Sequence, residues 1–150
     1  MPTGTGTFST KEHHVGSLPD DLRDIVREWG EKAHQDLLDA QQLLNVRSYA
    51  NAAFHAQQSA EKALKSVLVL HQHEYPYSHD IEEILKRISP LSPELAETCA
   101  RAATLSPFAV TTRYPGKTVD LVQAERAVEI AERVYGSVRD YIATNGVAWP

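Results

Sequence analysis

Five polar side chains crowd one stretch of this chain: Gln57, Gln58, Glu61, Lys62 and Lys65. At helical spacing they occupy about three turns. Lysine ammonium groups attract phosphate as point charges, amides can hydrogen-bond a base edge, and a carboxylate four residues before a lysine pairs with it along a helix. A second group lies downstream, where Arg113, Tyr114 and Lys117 sit in an irregular segment, SPFAVTTRYPGK. Arginine offers phosphate a planar fork, and a tyrosine ring can stack on a base. If the two groups converge, Lys62, Lys65, Arg113 and Lys117 would meet a phosphate-bearing ligand, with Tyr114 against its base. Alternatively, Glu61 pairs with Lys65, Gln57 and Gln58 bond across a bundle or dimer seam, and Arg113 ties its loop to a carboxylate. The residues alone leave both readings open.

The histidines pose a similar choice. His79 precedes Asp80, and an imidazole beside a carboxylate can move protons near neutral pH. Asp80 also has a structural reason to be there, as an acid at a helix start. His71, His73 and His79 do not form a metal set by spacing. Two histidines at i,i+2 on a helix point apart, unlike the i,i+4 pair of a zinc helix. No metal and no cofactor is expected. There is no Gly-rich phosphate loop, no nucleophile elbow and no paired-carboxylate glycosidase pattern.

A formal net charge of −5 argues against gripping nucleic acid by bulk charge. It leaves room for a local basic patch. The single cysteine, Cys99, rules out an intramolecular disulfide. It falls at an apolar helical position, where a thiol acts as a small buried hydrophobe. No apolar run reaches the roughly 20 residues that span a bilayer, and MPTGTGTFSTKEHH has no apolar signal core. A cytoplasmic location is expected.

These side chains must be positioned by helices. Leu22, Ile25, Val26, Trp29, Ala33, Leu37, Ala40 and Leu44 recur at spacings of three and four, which predicts a first helix from about Pro19 to Leu44. Gly30 inside it marks a bend or a close contact. A second helix is predicted from about Ser48 to Gln72, with so many alanines that another helix must approach closely. Pro76 breaks the pattern, and Ser78 is a candidate N-cap for a third helix to about Ile88. Ser92 and Pro93 start a fourth, with Leu95, Cys99, Ala102 and Leu105 inward, and Pro107 ends it. The fifth begins near Asp120, with Gln123 completing a capping box, and stops at Asn145-Gly146. No segment alternates with period two. The expectation is an all-α, up-and-down bundle of about five helices over residues 19–146, with tails at 1–18 and 147–150.

Taken together, Trp29, Ala33, Asp36 and Leu37, then YANAAFHAQQSAEKALKSVL, SHDIEEIL, TRYPGKT and the alanine-spaced last helix resemble the HEPN domain (higher eukaryotes and prokaryotes nucleotide-binding). The resemblance covers about residues 25 to 145. It implies a helical bundle, often homodimeric, and in many members a nucleotidyltransferase-fold partner. Several branches are metal-independent endoribonucleases of toxin–antitoxin or defence systems; others bind nucleotides or lack catalysis. The ribonuclease branches carry an Arg and a His about four to six residues apart near the start of a late helix, where they would hold phosphate and move protons. Here the last histidine is His79, so none follows Arg101, Arg113, Arg126, Arg133 or Arg139. Arg27 and His34 have a matching spacing but lie in the first helix. The expectation is a non-catalytic protein that binds a nucleotide or RNA, dimerises and works with a nucleotidyltransferase-type partner. Its alternatives are a ribonuclease using His79 with Arg113, and a dimeric protein-interaction scaffold.

Overall fold

The computed structural model describes residues 18–111 and 114–150. The tail expected over 1–18 lies outside them except for Leu18, and so does Arg113. Among the described residues every regular element is helical: α1 (Asp20–Asn45), α2 (Tyr49–Leu70), α3 (Ile81–Ile88), α4 (Pro93–Thr98), a 3-10 segment (Ala100–Leu105), α5 (Phe108–Thr111) and α6 (Leu121–Thr144).

Helix α2 is the centre of the bundle. It packs most extensively on α1, next on α6, and also on α3 and α5. The short link at Val46–Ser48, with Arg47 at φ 65°, returns the chain antiparallel to α1. The alanines of α2 let α1 come close: Ala52, Ala53, Ala56, Ala60 and Ala63 are fully buried, and Ser59 donates to the Ala33 carbonyl at 2.8 Å. Leu64, Val67 and Leu68 meet Ile81, Ile84 and Ile88 of α3 and Val138 and Ile142 of α6 in one core. Each such side chain contributes about 1.5–3 kcal/mol when fully buried.

The helix ends follow local chemistry in part. Asp120 and Gln123 form the expected capping box on α6, with bonds of 2.8 and 3.0 Å. Ser92 accepts from the Leu95 amide at 3.2 Å, ahead of Pro93 at the first position of α4. At α3 the cap is Asp80 rather than Ser78: its carboxylate accepts from the Glu82 amide at 3.1 Å. The carboxylate also favours the positive end of the helix dipole, which a hydroxyl cannot match. The fourth helix does not run unbroken to Pro107. It passes into the 3-10 segment after Cys99, and that tightening keeps Cys99, Ala102 and Leu105 buried together.

The segment expected as a short tail at 147–150 folds back on the bundle. Val147 and Trp149 are buried. The Trp149 indole donates to the Val26 carbonyl at 3.1 Å, stacks on Tyr135 at 4.8 Å, and lies over Gly30. The Tyr135 hydroxyl donates to the Pro150 carbonyl, and Arg27 donates to the Ala148 carbonyl at 3.2 Å. Gly30 is therefore a close contact, not a bend: a Cβ there would stand 2.0 Å from the indole nitrogen.

Candidate functional site

The polar stripe of α2 is organised around two carboxylates. On α1, Asp36 breaks the apolar run Ala33, Leu37, Ala40 and turns toward α2. Its Oδ1 lies 2.9 Å from His55 Nδ1, and its Oδ2 accepts from Lys62 Nζ at 2.6 Å. Farther along the stripe, Glu61 collects three partners: Gln57 Nε2 at 2.8 Å, Lys65 Nζ at 2.9 Å and His79 Nδ1 at 3.0 Å. Gln58 donates to Gln57 at 2.7 Å and extends this second set.

Burial decides what each group can offer. Glu61 and Lys65 are 5% and 6% exposed. Burial alone would raise the Glu61 pKa, but hydrogen bonds from Gln57, Lys65 and His79 and the Lys65 charge hold it below its usual value. Glu61 is therefore ionised and can only accept, so Nδ1 of His79 carries the proton. Lys65 is doubly committed, with its ammonium also 5.3 Å from the Tyr75 ring centre. Lys62 differs. Its side chain is 29% exposed, and Asp36 takes one of its three N–H donors.

Lys62 also borders the most suggestive space on the surface. With Glu28, Trp29 and Lys32 it lines a groove of about 350 Å³ on the α1–α2 seam. Lys32 and Glu28 are exposed. Trp29 supplies an aromatic wall and packs edge-to-face with Tyr75 at 5.2 Å between ring centres. The groove thus brings one indole together with two lysines, of which Lys62 is paired with Asp36, and with the opposing carboxylate of Glu28.

The remaining candidates are placed as follows. Tyr114 and Lys117 are exposed, and no described hydrogen bond, ion pair or ring contact joins them to α2. The convergence expected between the stripe and the Arg113 loop is thus not seen among the described residues. His79 pairs with Glu61 rather than with neighbouring Asp80, which is used as the α3 cap. Gln57 and Gln58 serve the Glu61 network. His71 faces the Tyr141 hydroxyl at 2.7 Å. Asp36, Asp39 and His55 bring possible metal-ligand atoms within 4.8 Å of one another. Asp36 already holds Lys62 and His55, and Asp39 accepts from Gln35 at 3.0 Å. The Lys62 ammonium on the central carboxylate opposes a cation there. Cys99 is buried, and burial pushes its thiol up to about 11.

Sequence reasoning missed Lys32 and the role of Asp36, His55 and Trp29. Asp36 was the available signal, because an acid on an apolar helical face needs a buried partner.

The family model for the HEPN domain matches residues 26–141, and the chain belongs to the HEPN domain family. Among solved structures it is similar to TT1696 from Thermus thermophilus, with a TM-score of 0.61 and 29% identity. That similarity covers 77% of this chain and 96% of the other. No curated protein sequence matches. No helix among the described residues is long and apolar enough to cross a membrane.

Proposed function

We propose that this HEPN-domain protein binds a nucleotide or nucleic acid without cleaving it, and acts as a homodimer with a nucleotidyltransferase-type partner. The observation that carries the ligand reading is the Trp29–Lys32–Lys62 groove, which offers a ring face beside two ammonium groups. Lys62 would take phosphate with the donors Asp36 leaves to it, and Lys32 would add the second charge. Lys65 supports this site from within by keeping Glu61 ionised and Tyr75 in place. The dimer reading draws on exposed apolar residues: Val46, Leu121 and Val122 are 70%, 44% and 58% exposed. Exposed apolar side chains of this kind are candidates for an interface.

Calorimetric titration with ATP, GTP, CTP and UTP tests the ligand reading. Saturable binding by the wild type, lost in Lys32→Ala and Lys62→Met, supports it. No binding by the wild type removes it.

A second reading, ribonuclease activity, is favoured by the His79–Glu61 pair. The His79 side chain is 53% exposed while its Nδ1 is held by a buried carboxylate. That arrangement leaves Nε2 as a base for a 2′-hydroxyl, with Arg113 as the phosphate group. Incubation with total RNA, with and without His79→Ala, decides it. Cleavage that survives the substitution sinks this assignment.

A further inference from the structure

The α1–α6 seam holds residues 148–150 in a way that core packing does not require. Helix α6 is finished before this stretch begins: the Val147 amide bonds the Ile142 carbonyl at 3.2 Å, and Gly146 turns the chain at φ 92°. Side chains then alternate, with Val147 and Trp149 buried and Ala148 and Pro150 exposed. That is the period of an extended segment lying on a surface. The carbonyls on either side of the indole are each clamped. Arg27 Nε donates to the Ala148 carbonyl at 3.2 Å, while Asp24 holds the other side of that guanidinium at 3.2 Å. The Tyr135 hydroxyl donates to the Pro150 carbonyl. Between these clamps the indole donates to the Val26 carbonyl at 3.1 Å and stacks on Tyr135 at 4.8 Å and 25°. Gly30 forms the floor, since any Cβ there would collide with the indole.

We propose that this seam is a docking slot for an extended, tryptophan-bearing peptide segment, and that residues 148–150 are its resident ligand, able to leave without the bundle unfolding. Surfaces that read extended peptides bond the main chain and give alternate side chains a pocket. Both devices are present here. A tryptophan that only filled the core would need the pocket and not the two carbonyl clamps.

Release is local. Val147 stays with α6 through its bond to Ile142, so opening breaks the ties of three residues and leaves the core of α2, α3 and α6 in place. Segments with so few ties open well before the whole fold does. The tether sets the terms of exchange. A ligand on a short tether acts at an effective concentration on the order of millimolar. A segment of the same chemistry on another protein therefore displaces residues 148–150 only from within an assembly that concentrates it equally. The slot is closed by default and opens to a partner already held nearby.

Two measurements test this. In the wild type, hydrogen exchange followed by NMR compares the Trp149 indole N–H with the Leu64 and Leu68 amides of the core. The indole should be protected at least about ten-fold less, at a level insensitive to low urea. An indole protected as strongly as the core makes Trp149 part of the global fold and overturns the proposal. The second measurement titrates acetyl-Ala-Trp-Pro-amide into the chain carrying Trp149→Ala. The peptide should bind saturably, and the wild type should bind it at least about ten-fold more weakly, because the tethered segment competes. Phenylalanine in place of the peptide's tryptophan removes the N–H given to Val26 and should weaken binding about five-fold or more. Adding Gly30→Ala to Trp149→Ala should abolish binding. That double variant regains helix propensity over its parent, so the loss does not come from unfolding. Binding indifferent to either change, equal binding by the wild type, or no binding by a folded Trp149→Ala chain each overturns the slot. A Trp149→Ala chain without helical circular dichroism overturns it as well, because the segment is then not releasable.

Discussion

The indole of Trp149 occupies the space that a side chain at Gly30 would need, with Nε1 2.0 Å from the ideal Cβ position. A helix interior pays up to ~1 kcal/mol for a glycine in place of alanine. Here the missing side chain lets the indole reach the Val26 carbonyl and bury itself against Tyr135. Gly30→Ala should therefore destabilise the protein despite its better helix propensity. Trp149→Ala should cost about 3–5 kcal/mol, as for other buried aromatics. In the Trp149→Ala background, Gly30→Ala should change sign and stabilise by up to ~1 kcal/mol. Urea unfolding of the four variants measures the reversal.

Glu61 and Lys65 form a buried pair, and the two halves are not equivalent. Removing the charge of Glu61 strands Lys65, so Glu61→Gln should cost about 3–5 kcal/mol. Lys65→Met leaves Glu61 with Gln57 and His79 and should cost less. The Glu61 carboxyl is held below its usual 4.5 by these partners, against the opposing effect of burial. The stability it provides is complete above that value. It is lost as pH falls through the folded-state value, because the unfolded chain takes up the proton first. Acid unfolding of wild type and Lys65→Met, followed by circular dichroism, should show the mutant losing structure at higher pH.

His71 acts in a separate pH window. Burial, aided by the His73 charge, pushes its pKa below the usual 6.5. The unfolded chain gains a proton as pH falls through 6.5, while the folded chain stays neutral to lower pH. Stability should thus decline below pH 6.5 and level off once the folded-state value is passed. His71→Gln, which can still bond Tyr141, should flatten that decline. Urea midpoints between about pH 7.5 and 5 provide the comparison.

Cys99 should behave as an inert hydrophobe. With its thiol pushed up to about 11 and its side chain buried, it should resist iodoacetamide at neutral pH and react only on unfolding. Mass spectrometry across a urea series should show labelling that tracks the unfolding curve.

What could be read from sequence was local. The Asp120–Gln123 box and the Ser92-Pro93 start involve residues three apart or adjacent, so their chemistry shows in the string itself. The inner face of α2 was equally legible, because alanine spacing reports close helix packing. What escaped depends on distant partners. Asp36 meets Lys62 across 26 positions and Trp149 meets Val26 across 123. The last segment has no periodicity to mark it as buried. The choice of Asp80 over Ser78 as the α3 cap turns on where the helix starts, at Ile81, which puts the Asp80 carboxylate on the Glu82 amide. For the site, Lys62 and Lys65 look alike in sequence, yet burial separates them: one borders a groove and the other is buried against Glu61. Lys32 carries no signal in the string, because only the fold brings it into one groove with Lys62.

The chain has two tryptophans, and they lie in separate environments, Trp29 in the groove and Trp149 in the last segment, packed against Val26 and Tyr135. Their indole N–H resonances in a ¹H–¹⁵N spectrum therefore separate ligand contact from general perturbation. On titration with a nucleotide, the Trp29 signal should shift saturably while Trp149 stays in place, and Lys32→Ala should abolish the shift. A Trp29 resonance unmoved at saturating nucleotide would contradict a ligand groove on the α1–α2 seam.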